Sequence, residues 1–202
     1  MMADEAKLQR IQVADPGPLG LAAFALTTFV LSVANAGWIP AAAATVFLPL
    51  ALFYGGVTQL IAGSFEFFNR NTFGATAFSS YGGFWISLAV MVYLEIQHVL
   101  VFGTAAGTAL GLFLLAWTIF TFYMMIASFR LNGALTAVFI VLFVTFVVLT
   151  IGAFTGIAFL THLGGYLGVV TALLAWYTSG AGVINSVSGH TVVPVWPYSH
   201  SS

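Results

Sequence analysis

Gly56, Gln59, Gly63 and Glu66 recur at spacings of three, four and three, which lines them along one face of a helix. A carboxamide both donates and accepts hydrogen bonds, and a carboxyl accepts or, once protonated, donates. This face can therefore hold a small polar solute or pass a proton. The polar passage that follows, Asn71 to Tyr81, supplies complementary chemistry. Thr72 is expected to cap a helix starting near Phe73 or Gly74. The free N–H groups and positive dipole end of such a start stabilise an anion without a buried lysine. Thr76, Ser79, Ser80 and Tyr81 add hydroxyl groups as that helix rises. Gln59, Glu66, Asn71, Thr72, Thr76 and Ser80 are thus the candidate solute-facing residues. Two plainer readings stay open: close helix packing for the glycines, and an ion pair between Glu66 and Arg70 at the end of the same helix.

The elements that must position these groups follow from composition. Of 202 residues, 61% are hydrophobic and 4% charged, a balance foreign to soluble domains. A spanning helix needs about 20 apolar residues. The chain divides into six such runs, roughly 19–35, 41–66, 76–96, 105–128, 133–154 and 162–184. Runs such as Ala134 to Leu149 are almost continuously apolar, unlike the alternating strands of an outer-membrane barrel. The expected fold class is an all-α integral membrane protein of six transmembrane helices. Its transport-sized core covers 15–188, with short, mobile tails at 1–14 and 189–202.

Lys7, Arg10, Arg70 and Arg130 are the only basic residues. With six helices they all fall on the N-terminal side, so the positive-inside rule puts both termini in the cytoplasm, as expected of a multi-pass protein of the plasma (inner) membrane. Intramembrane polarity marks function by default.

Several classes drop out. No lysine lies within the helices for a retinal Schiff base, and no HExxH pattern is present. His98, His162, His190 and His200 are scattered rather than spaced as metal ligands, and there is no cysteine. No cofactor or metal is expected, nothing resembles the nucleophile elbow of a hydrolase, and the absence of basic clusters argues against nucleic acid. Small residues repeat at Gly103, Gly107 and Gly111, and from Gly164 through Gly168, Ala172, Ala175, Ser179 and Gly182. Such stripes pack helices within or between protomers.

Before the first apolar run stand Asp15, Pro16, Gly17, Pro18, Leu19, Gly20 and Leu21. Read physically, this is a helix start, with Asp15 able to cap, a proline in the first turn and Gly20 permitting close packing. The same stretch resembles the Asn-Pro-Ala-Pro-Leu-Gly-Leu signature of the acetate uptake transporter family, the YaaH/SatP type, with Asp15 and Gly17 as departures. The passage from Phe53 through Gln59, Gly63, Glu66 and Asn71 to Tyr81, Gly82, Phe84 and Trp85 resembles that family's most specific block. The resemblance implies uptake of acetate, and in some members succinate or other short carboxylates, by a six-helix protomer assembled as a homohexamer in membrane lipid. It implies a separate pathway in each protomer, narrowed by a hydrophobic constriction that falls on Phe24, Tyr81 and Leu142. Ala175 matches a position tied to substrate size. An apolar ring of this kind gates by dewetting and admits a two-carbon acid methyl-first against its walls. Anion channel and proton-coupled symporter both remain open, Glu66 being the candidate titrating group for the second. The alternative is a channel for formate, ammonia or urea.

Overall fold

The computed structural model describes residues 13–198; Lys7, Arg10 and His200 lie outside the described residues. Six helices are long and apolar enough to cross a membrane. Helix α1 (Gly17–Asn35) is followed by a composite second span, then α4 (Thr72–Ile96), α5 (Ala106–Ser128), α6 (Gly133–Thr155) and α7 (Ala158–Ser188). α7 extends beyond the expected 162–184 at both ends, taking in an apolar turn at 158–161 and a polar one at 185–188. It stops only at Gly189, whose left-handed backbone (φ 69°) provides the usual glycine exit.

The second span is not the continuous helix expected from its apolar run. A 3-10 turn (Ala41–Val46) leads into α2 (Phe47–Leu52), a π-helical segment (Phe53–Thr58) and α3 (Gln59–Phe68). The Thr58 hydroxyl donates to the Phe53 carbonyl five residues back at 3.0 Å, spanning the widened turn. Gly55 and Gly56 in this segment press against Thr27 of α1 and Ile86 of α4, where side chains would collide. The polar face survives the interruption. Gly56, Gln59, Gly63 and Glu66 are all buried.

The start of α4 corrects a second expectation. Asn71, not Thr72, is the cap: its backbone is non-helical (φ −93°, ψ 86°) and its side chain accepts from the Gly74 N–H at 3.0 Å. Thr72 already lies inside the helix. α6 opens the same way, with the Asn132 side chain accepting from the Leu135 N–H at 2.8 Å.

The spans close into a ring. α1 packs on α7, α7 on α6, α6 on α5, α5 on α4 and α4 on α3, while α1 also meets α3 and the π segment. Much of the small-residue patterning is consumed inside the protomer. Gly107 and Gly111 face Ala153 and Phe154 of α6, Gly164 faces Leu149, and Gly168 faces Ser32. Interior hydroxyls are satisfied by their own helices: Thr27, Thr118, Thr145, Thr171 and Thr178 each donate to the carbonyl four residues back, which lets a polar residue sit in an apolar core. The ring's outer surface is aromatic and aliphatic, including Phe53, Phe67, Tyr93, Leu112, Ile119 and Phe159.

Candidate substrate pathway

Two cavities lie in the bundle. The first, about 290 Å³, is bounded by the beginnings of α1, α4 and α6 and the end of α7. The second, about 260 Å³, lies between the far halves of α1, α4, α5 and α6. Among the described residues, only Phe24 and Leu142 line both.

Phe24 comes from the middle of α1 and Leu142 from the middle of α6, and both are buried. Tyr81 lines the first cavity beside them, its ring 5.7 Å from that of Phe24 and boxed by Phe120 at 5.2 Å, Trp117 at 6.1 Å and Phe139 at 6.3 Å. Its hydroxyl shares a 2.9 Å hydrogen bond with Thr121. That bond satisfies the phenol within the protein. Ala175 is fully buried in the same core cluster. It does not itself line either cavity; Thr178, three residues on, lines the first.

The first cavity gathers polar groups. Gln59, Glu66, Asn71 and Asp15 are joined there by Asn132, Asn185 and Thr178. The Oε1 of Gln59, almost wholly buried, has no hydrogen-bond partner. Glu66 is buried at the end of α3, whereas Arg70 is exposed on the following turn in a left-handed conformation (φ 56°). No Glu66–Arg70 ion pair therefore forms; the turn carries the guanidinium outward. Instead the carboxylate meets the start of α4: a Cβ on Gly74 would lie 2.6 Å from both Glu66 Oε1 and Asn71 Nδ2. Only glycine allows this approach.

The N-terminal signature docks α1 to its neighbours. Asp15 Oδ1 accepts from the Gly17 N–H at 2.9 Å, and Pro16 is the cap residue. The Pro18 carbonyl accepts from the Ser179 hydroxyl at 2.6 Å. Gly20 lies against the face of Phe78, where a Cβ would come within 2.7 Å of the ring. These contacts set the depth of α1, and hence of Phe24, against α4 and α7.

Three expected residues are not brought to the pathway. Thr72, Thr76 and Ser80 line neither cavity. The stripe of α4 that faces inward is Phe73, Ala77, Tyr81, Phe84 and Leu88, and a stripe one residue earlier points about 100° away. The sequence reading also missed residues. Asn132, the cap of α6, is also a wall of the first cavity. Asn185, Thr178 and Val195 carry no local signal. In the second cavity, Thr28 Oγ1 and Trp85 Nε1 are buried without partners.

Among the described residues, neither cavity is lined by lysine or arginine, and no cluster of metal-ligating side chains occurs. What the arrangement offers a solute is amides, carboxyls and a hydroxyl at one mouth, then an apolar neck, then a mainly apolar chamber with hydroxyls.

A family model described as GPR1/FUN34/yaaH matches residues 1–200. The chain belongs to this family. It is 36% identical over 186 residues to the succinate-acetate/proton symporter SatP of Escherichia coli K12, covering 91% of this chain and 96% of that protein. It is 42% identical over 184 residues to ammonia transport outward protein 2 of Saccharomyces cerevisiae, covering 89% of this chain. The chain spans 66% and 65% of the length of two yeast relatives. Among solved structures, the bacterial acetate channel SatP superposes with a TM-score of 0.86 at 34% identity, over 91% of this chain and 99% of that one. The GPR1/FUN34/yaaH relatives named for transport accord with a multi-pass membrane protein.

Proposed function

We propose that this chain transports acetate and related short monocarboxylates, succinate among the candidates at the larger end, through a pathway in each protomer. The observation that carries the reading is the meeting of two cavities at Phe24 and Leu142 alone, with Tyr81 packed against Phe24. A polar solute crosses such a neck only if it can shed water and present an apolar end. Acetate has a methyl group for the neck and a carboxylate for the amides and helix starts before it. Several weak hydrogen bonds replace its hydration, so it is held loosely enough to leave. Asp15 and Glu66 at the first mouth oppose a dense anion load, and Glu66 is placed to couple a proton to passage. Both termini face the cytoplasm, in a plasma (inner) membrane protein. Six copies associate through the apolar outer faces, since the glycine stripes already pack mostly within one protomer.

The test is purified protein in proteoliposomes, with labelled acetate uptake followed with and without a proton gradient and with competing acids. Saturable acetate flux, competed by propionate, is expected. A yeast relative named for ammonia transport favours a second reading, an ammonia pathway. Alkalinisation of vesicles by ammonium in the absence of any carboxylate flux would replace the first reading with that one. Cross-linking in native membranes is expected to give a ladder ending at six.

A further inference from the structure

The chain beyond α7 folds back onto the mouth of the first cavity. After Gly189 it turns, and Asn185 of α7 clamps the returning segment: its Oδ1 accepts from the N–H groups of Val192 and Val193, each at 2.8 Å, and its Nδ2 donates to the Val193 carbonyl at 2.8 Å. The Tyr177 hydroxyl donates to the Pro194 carbonyl at 2.6 Å, and its ring stacks on Trp196 at 6.0 Å with planes 13° apart. The segment then joins the start of α6. Gly133 N–H donates to the Trp196 carbonyl at 2.9 Å, Ala134 N–H to the Val195 carbonyl at 3.2 Å, and Tyr198 N–H to the Leu131 carbonyl at 3.3 Å. Trp196 accepts a left-handed backbone (φ 52°) to make these bonds, a conformation that costs a bulky residue free energy and persists only where its surroundings hold it.

Residues 189–198 are therefore held against the bundle, in contrast to the mobile tail expected for 189–202, and two consequences follow. First-turn N–H groups of α6, which a helix start leaves open, are occupied by strap carbonyls and withdrawn from any solute. Val195 itself, half-buried, becomes part of the lining of the first cavity beside Asn185 and Asn132.

We propose that the segment Val192–Tyr198 is a wall of the transport pathway, with Val195 a specificity-determining side chain at the first mouth and Asn185 the positioning residue that seats it. The inference rests on the carboxylate reading above, and its test separates the two. The chain has no cysteine, so a single Val195→Cys substitution can be labelled selectively. In proteoliposomes, a bulky thiol reagent is expected to cut acetate flux through Val195→Cys by at least about fivefold. The same reagent on Val187→Cys, an exposed position lining neither cavity, leaves flux unchanged. Val195→Ala is expected to raise the butyrate-to-acetate flux ratio about threefold, the scale of one or two methyl groups at a partly open wall. Asn185→Ala shifts that ratio the same way, and Asn185→Asp, which keeps the oxygen that accepts from both N–H groups but loses the donor to the Val193 carbonyl, restores part of the original value. A merely structural role for Asn185 would lower both fluxes together and leave the ratio alone. Unchanged flux after labelling Val195→Cys, together with an unaltered ratio in Val195→Ala, overturns the inference while the parent protein still carries acetate. If the parent carries no carboxylate at all, the transport reading falls and this one with it.

Discussion

The two cavities differ in how their polarity is made. The first takes its polar groups from helix starts and from amides and carboxyls: Asn71 and Asn132 cap α4 and α6, while Asp15, Gln59, Glu66 and Asn185 project beside them. The second has hydroxyls, Thr28, Ser32, Thr145 and Thr161, with Asn35 at the end of α1. Helix starts and helix ends alternate around the ring, so each mouth receives both, the backbone dipoles largely offset one another at both, and the contrast between the cavities lies in their side chains. Among the described residues, carboxyl groups line the first cavity, Asp15 and Glu66, and not the second. The comparison teaches that polarity is distributed by kind: amides and carboxyls at the first mouth, and mainly hydroxyls without formal charge in the second cavity.

Removing the neck between the cavities is the strongest way to break this contrast. Leu142→Ala is expected to merge them and raise the lactate-to-acetate and succinate-to-acetate uptake ratios by about tenfold, with Ala175→Gly acting in the same direction more weakly from behind the wall. Radiolabelled uptake by both variants measures it, and unchanged selectivity in both would remove these residues from the pathway. Next in size is the first mouth. Gly74→Val drives a side chain into Glu66 and Asn71 and is expected to lose about 1–3 kcal/mol of stability, seen as a lower melting temperature in detergent together with lost flux. Glu66→Gln is milder. It keeps the volume and is expected to retain acetate flux while flattening its dependence on the proton gradient; an unaltered dependence would leave Glu66 no part in coupling. The smallest effect is in the second cavity. Thr28→Val removes a hydroxyl that has no partner within the protein, so stability should stay within about 0.5 kcal/mol while acetate flux falls about twofold, which compares the solute-facing hydroxyl with the back-bonded ones.

Much of this was legible along the chain. The spacing of Gly56, Gln59, Gly63 and Glu66 reads as one face of a helix because helical periodicity is local, and in the structure all four are buried. The fold class was equally legible, because a bilayer leaves an apolar chain of this length few alternatives. Thr72, Thr76 and Ser80 were read as solute-facing because hydroxyls near a helix start looked suitable, but their direction depends on how α4 is rotated against its neighbours. The fate of Glu66 was undecidable between Arg70 and the interior, since one turn with a left-handed residue sends the two groups apart.

By itself the sequence determined six apolar spans, the helix starts that expose N–H groups, and a polar stripe ending in a carboxyl, all of them consequences of residue type and spacing within a few turns. Tertiary structure alone decided that Phe24 and Leu142, 118 positions apart by their own numbers, stand between the same two cavities, that the π segment preserves the stripe, and that Val195 returns to the first mouth. Those relations depend on helix rotation, depth and ring closure, which are set by many weak contacts between distant segments and leave no pattern in any one of them.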